Sequence, residues 1–216
     1  MKEQYLHSEN INKVTKEIFF EIIAYTKSYR PKLKASKLAL IIIDMQDYFL
    51  KKEAHGFVPS SGAIVPNVIR LQRHCLDKGI KVYFTQHINT LENSRMMDVR
   101  FDELITEDHP FSRISKHFEL DNCEIIQKPQ FDAFFETDLE EKLKKDGVEQ
   151  IIFAGVMTNL CVETTLRSAF VKGFDPIIPV DTTAANNLEF HKATLKNLSY
   201  GFAYTVLLDD LLKEIK

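Results

Sequence analysis

A carboxylate, an ammonium and a thiol that meet in space can carry out covalent hydrolysis, and this chain places one of each beside an apolar run. Asp44 closes residues 37–44 (KLALIIID), Lys128 follows the run 124–127, and Cys161 stands a few residues after the run 150–154. The thiolate is the nucleophilic form of cysteine, a carboxylate can take the thiol proton and later activate water, and a nearby cation stabilises both anions. Singly, each residue has a plainer use. A free cysteine packs as a small hydrophobe, which is how Cys75 and Cys123 read. An aspartate ending an apolar run caps a neighbouring element or acts in chemistry, and a lysine before a proline is by default solvated.

The elements that must position these groups follow from patterning. Residues 37–44 form a short unbroken apolar run with β-branched members, the signature of a strand buried on both faces, and it ends at Asp44. A helix at 65–78 closed by Gly79 leads to a strand at 81–85, and a helix at 138–145 closed by Gly147 leads to a strand at 150–154. A helix at 160–172 closed by Gly173 leads to a strand at 176–180, and a helix at 189–199 precedes a short strand at 203–206. Such alternation predicts an α/β fold, a mainly parallel sheet of about six strands with helices on both faces. Ligands bind such sheets beyond the carboxyl ends of the strands, where Asp44, Lys128 and Cys161 would converge. At the start of the 160–172 helix, Cys161 would meet unpaired amides and a positive dipole end, which favours thiolate.

Ahead of this core, Ile11, Val14, Ile18, Ile22 and Tyr25 recur at helical spacing until Arg30-Pro31, which predicts an N-terminal helical extension over 1–34 before a domain spanning 35–216. Residues 88–122 are polar and weakly periodic, and read as a lid, a partner contact or a surface excursion. With 216 residues, 44% hydrophobic and 27% charged, the chain reads as globular rather than disordered. Its 28 Lys+Arg against 31 Asp+Glu give no general attraction for nucleic acid or an anionic membrane. No apolar run reaches the roughly 18 residues of a membrane span and no signal-peptide pattern opens the sequence, so a cytoplasmic protein is expected. Three cysteines without CxxC spacing predict neither a disulfide framework nor a cysteine zinc site.

The motifs come in a recognisable order. Asp44-Met45-Gln46 with Tyr48-Phe49, Thr85-Gln86-His87, Lys128 with Phe131 and Ala133-Phe134, and Gly155-Val156-Met157-Thr158-Asn159-Leu160-Cys161-Val162 with Thr164-Thr165 resemble the isochorismatase-like cysteine hydrolases, over residues 37 to the C-terminus. The resemblance implies a three-layer α/β/α sandwich with Asp44, Lys128 and Cys161 as catalytic triad. It also implies a cis peptide between Val156 and Met157, and an oxyanion hole made by the Met157 and Cys161 amides. Gln46, Phe49, His87, Phe131, Phe134 and Thr158 are the candidate substrate-binding residues; His87 could equally be a structural histidine and the phenylalanines ordinary core. His191 and Asp181 also match family positions and read as structural.

Metal-dependent members of that family carry Asp-x-His after the second strand, where this chain has His87 and Asn89, so neither a metal nor another cofactor is expected. The resemblance implies cleavage of an amide-type bond of a small molecule through a thioester. Two alternatives stand beside it: vinyl-ether cleavage as in the isochorismatases, with Asp44 as general acid, and a catalytically silent binding protein. Relatives commonly form dimers or tetramers, so a homo-oligomer is expected.

Overall fold

The computed structural model describes residues 2–26 and 29–215. In chain order the elements are α1 (Ile11–Ile23), β1 (Leu38–Ile43), α2 (Asp47–Leu50), α3 (Ser61–Asp77), β2 (Lys81–His87), α4 (Met97–Arg100), β3 (Cys123–Lys128), α5 (Leu139–Lys145), β4 (Gln150–Val156), α6 (Glu163–Val171), β5 (Asp175–Pro179), β6 (Thr183–Ala184), α7 (Leu188–Gly201), β7 (Tyr204–Val206) and α8 (Leu208–Glu214). The sheet runs β3-β2-β1-β4-β5-β7, with β6 added against the end of β4 and every pairing parallel.

Alternation along β1 explains the layers. Leu38, Leu40 and Ile42 face one side, packed with Ile64, Val68 and Leu71 of α3 and with Leu208 and Leu211 of α8. Ala39, Ile41 and Ile43 face the other, packed with Leu139 and Leu143 of α5, Leu166 of α6 and Leu195 and Leu198 of α7. Side chains alternate across a strand, so a strand with helices on both faces must be apolar throughout, and all six β1 residues are buried. Helix α1 buries Ile18 and Ile22 in the α5–α6–α7 layer, while its Glu21 pairs with Lys192 and Lys196 of α7.

Several boundaries differ from the sequence pattern. Helix α3 begins at Ser61, four residues early, and carries Pro66 inside its second turn. Lys128 is the last residue of β3 rather than the residue beyond it. The helix expected from residue 160 opens instead as a π-type turn over Thr158–Val162, and α6 proper begins at Glu163. Cys161 therefore sits in a wide opening turn that runs directly into α6.

Chain order reverses at β1, which lies between β2 and β4. The residues following β1 and β4 thus flank the crevice of the parallel sheet, the usual place for a site.

Candidate active site

Asp44, with φ +49, leaves β1 in the left-handed region and turns into the crevice. Its amide donates to Thr85 Oγ1 at 3.0 Å, and Thr85 Oγ1–H donates back to Asp44 Oδ1 at 2.5 Å, so β2 holds both ends of the residue. Oδ2 faces Lys128 Nζ at 2.8 Å as an ion pair, with both side chains sealed from solvent. Lys128 Nζ also lies 3.4 Å from Cys161 Sγ, 3.2 Å from His87 Nδ1 and 3.0 Å from the Gln130 carbonyl. Three residues more than 30 positions apart in sequence thus meet at the carboxyl ends of β1, β3 and β4.

The charges of this cluster are set by competition. Burial pushes the Asp44 carboxyl up, but the Lys128 charge first, and then the neighbouring His87 and Cys161, outweigh it and hold the group below the usual carboxylate range. Burial likewise opposes the Lys128 charge, yet Asp44 and Cys161 keep its pKa above the ordinary lysine value. For Cys161 the balance reverses: burial first, then the Asp44 charge, raise the thiol far above its usual pKa, against Lys128. The resting site is therefore carboxylate, ammonium and neutral thiol, which corrects the thiolate expected from sequence. The cause is burial first, and then the Asp44 carboxylate next to the sulfur.

A cavity of about 170 Å³ opens above Cys161. Phe49, Phe131, Leu160 and Ile105 give it apolar walls, His87 and Asn89 a polar corner, and Lys2, His55, Glu103 and Asn186 its mouth. Residues 88–122 contribute Met97, Phe101 and Leu104 to the wall, and they are tied to the site by backbone bonds from Asp47 to Arg113, from Tyr48 to Phe111 and from Ser115 to Met45.

Of the candidate substrate-binding residues, Phe49, His87 and Phe131 line this cavity, as does Met157. Phe134 does not: it is buried in the α5–α6–α7 layer, stacked on Phe174 with centroids 6.1 Å apart, on the β3–α5 loop that Ala133 N and Asp132 fasten to Thr165 and Ser168 of α6. Gln46 is fully buried and spans backbone, accepting from His87 N and donating to the His87 and Ser112 carbonyls. Thr158 is buried too, with its hydroxyl 2.9 Å from His191 Nδ1. His191 is held neutral, its pKa pushed down to about 3 by burial. Asp181 accepts from the Leu208 amide and burial raises its pKa to about 6. The Val156–Met157 peptide is cis. Sequence reasoning missed Leu160, Ile105 and Asn186, which carry no chemical signal, while Thr85 lay inside a quoted motif without a role.

Residues 38–210 match the isochorismatase domain family model. The chain belongs to the isochorismatase family. It is 36% identical over 182 residues to nicotinamidase 3 of Arabidopsis thaliana, covering 82% of this chain and 88% of that protein. It is 27% identical over 195 residues to a ureidoacrylate amidohydrolase of Yersinia enterocolitica, covering 78% of this chain and 85% of that one. Among solved structures, a cysteine hydrolase from Pseudomonas syringae superposes with a TM-score of 0.82 at 22% identity, over 87% of this chain and 98% of the other. As an isochorismatase-family hydrolase, the chain shares this α/β fold with those proteins.

A pyrazinamidase of Pyrococcus horikoshii with a similar fold, TM-score 0.71 at 24% identity over 79% of this chain and 99% of that one, was solved in complex with zinc. Among the described residues, the one trio whose ligand atoms lie within 4.8 Å of one another is Asp44, His87 and Cys161. The Lys128 ammonium already sits within 3.4 Å of all three, and a second cation there would be strongly repelled. The donor set does not fit a metal. Among the described residues no helix is long and apolar enough to cross a membrane.

Proposed function

We propose that this isochorismatase-family hydrolase cleaves an amide-type C–N bond of a small molecule through a Cys161 thioester. The observation that carries the reading is the neutral Cys161 thiol set beside an ionised Asp44 and an ionised Lys128 at the end of a small cavity. As Sγ attacks the carbonyl, its proton passes to Asp44, and Lys128 stabilises the sulfur. The Met157 and Cys161 amides are the proposed donors to the oxyanion. Asp44 then returns the proton to the leaving nitrogen as the C–N bond breaks; a water that gives its proton to Asp44 attacks the thioester, the C–S bond breaks, and Asp44 hands that proton back to the Cys161 sulfur. Phe49 and Phe131 are proposed to clasp the acyl group.

Vinyl-ether cleavage needs Asp44 protonated before the reaction begins, and a carboxyl held below its usual pKa rests without a proton to give. The likeness to a plant nicotinamidase and a bacterial ureidoacrylate amidohydrolase supports the same choice. We further propose that the enzyme works in the cytoplasm as a homo-oligomer; a monomeric mass by light scattering would contradict the assembly.

Assays of Cys161→Ala and Asp44→Asn against primary amides, ureido acids and isochorismate test the mechanism. Expected is loss of amide turnover by orders of magnitude in both variants, with an acyl-enzyme trapped by mass spectrometry in the wild type. A fully active Cys161→Ala enzyme, with only Asp44→Asn impaired on isochorismate, would transfer the chemistry to Asp44.

A further inference from the structure

We infer that Asn89 is a positioning residue, which holds His87 in the single tautomer able to accept a hydrogen bond from Lys128, so that the imidazole aims the ammonium between Asp44 and Cys161 and binds neither metal nor substrate. The inference rests on the reading of Asp44, Lys128 and Cys161 as the reacting groups.

The assignment begins at a group with no choice. The Pro129 carbonyl can only accept, and Asn89 Nδ2 lies 2.8 Å from it, so the amide nitrogen faces Pro129 and Oδ1 faces His87. Oδ1 can only accept as well, and it lies 2.9 Å from His87 Nε2, which must therefore carry a proton. The buried ring is neutral, since burial and then Lys128 depress its pKa to about 4 against the opposing influence of Asp44 and Asn89. One proton on Nε2 leaves a lone pair on Nδ1, and the atom found there, at 3.2 Å, is Lys128 Nζ. On the other side Gln46 fixes the His87 backbone through both its amide and its carbonyl. The chain of donation runs Lys128 to His87 to Asn89 to Pro129, and each link dictates the next.

An ammonium has three protons, and Lys128 has four neighbours able to take them. His87 Nδ1 and the Gln130 carbonyl at 3.0 Å are fixed acceptors that do not change during the reaction. The third N–H has Cys161 Sγ as its hydrogen-bond acceptor at 3.4 Å, with Asp44 Oδ2 beside it as the ion-pair partner at 2.8 Å. When the S–H bond breaks and an O–H bond forms on Asp44, the negative charge moves from the carboxylate to the sulfur. The third N–H meets it there while the two anchors hold, and Lys128 neither gains nor loses a proton. Without Asn89 the ring could turn an N–H toward the ammonium, and Lys128 would lose one of its two anchors.

Nitrogen-15 NMR of the intact protein, with the His87 signal assigned from the His87→Asn variant, reads the tautomer directly. Expected is a neutral ring protonated on Nε2 from roughly pH 5 to 9; an Nδ1-protonated ring, or titration near the ordinary histidine value, would overturn the inference. Kinetics supply the second test. Asn89→Ala should lower kcat roughly 10- to 100-fold with little change in KM, the expected result of a misaimed group. His87→Asn, whose Oδ1 can stand in for Nδ1, should keep far more activity than His87→Leu. Asn89→Asp should raise the ring's pKa, turn Nδ1 into a donor facing Lys128, and add an acidic limb near neutral pH that the wild type lacks. Wild-type kcat in Asn89→Ala, equal activity of the two His87 variants, or tight zinc binding that shifts the His87 signals would each refute the assignment. Should amide turnover survive Cys161→Ala while the tautomer is as stated, the thioester mechanism fails and the orientation of Lys128 by His87 stands.

Discussion

Lys128 Nζ and Asp44 Oδ2 are 2.8 Å apart with neither side chain exposed to solvent. Removing two charges from water costs more than their attraction commonly returns, so such a pair is poor evidence for stability and is better explained by the chemistry beside it. Loss of one partner is costly because it strands the other. Lys128→Met should destabilise the fold by about 3–5 kcal/mol in denaturant titrations. Combining it with Asp44→Asn should recover much of that loss while the enzyme stays inactive. A double variant no more stable than Lys128→Met would show that the pair does more for packing than for charge.

Acid sensitivity follows from three other buried groups. His87 and His191 have pKa values pushed down to about 4 and about 3, by burial in both cases and by Lys128 as well for His87. Unfolded histidines take up protons below about pH 6.5 while these do not, so stability falls as pH drops from there toward 4, by on the order of 3 kcal/mol for each ring. Asp181 works the opposite way. Burial raises its folded pKa to about 6, so it binds a proton in the folded state first and adds stability as pH falls from 6 to about 4. The melting temperature should therefore decline from pH 7 to pH 4 overall. Asp181→Asn, which keeps an acceptor for the Leu208 amide, should raise it at pH 8 and steepen the decline. An unchanged melting temperature at pH 8 would show that the Asp181 charge is not penalised.

Phe131 and Phe134, three residues apart, should respond differently to truncation. Phe134→Ala opens a void against Phe174 and should cost about 3 kcal/mol of stability, with KM little changed in whatever enzyme folds. Phe131 lines the cavity and meets Phe101 edge to face at 5.9 Å, so Phe131→Ala should raise KM severalfold with a smaller stability loss. Equal KM effects for the two variants would place Phe134 in the substrate's path.

Gly155 has φ +108, and a Cβ added there would lie 2.1 Å from the Ile43 carbonyl oxygen. Because Ile43 and Gly155 are register partners of β1 and β4, Gly155→Ala must push apart the two strands that carry Asp44 and Cys161. A stability loss of about 3 kcal/mol and a fall in kcat are expected, checked by thermal melts and steady-state rates. Retention of both would mean that the strands separate there at little cost.

The strands and their order along the chain were legible in the sequence because strands buried on both faces must be apolar throughout, as residues 38–43 are, and because Gly79, Gly147 and Gly173 mark helix ends through backbone geometry that is local. The residue types gathered at the strand ends were legible for the same reason, since Asp44, Lys128 and Cys161 break apolar runs or follow them closely. What each would do there was not. Whether Cys161 rests as thiol or thiolate depends on its burial in the folded chain and on a carboxylate 117 positions away in sequence. Whether Phe131 or Phe134 meets a ligand depends on which way one loop turns above α6, and the two residues are chemically identical. The role of His87 depends on Asn89, Pro129 and Lys128, whose hydrogen bonds exist only once β2 and β3 lie side by side. Local patterning specifies elements through interactions a few residues long; protonation, tautomer and access are set by low-dielectric contacts between distant residues, and only the tertiary structure brings those together.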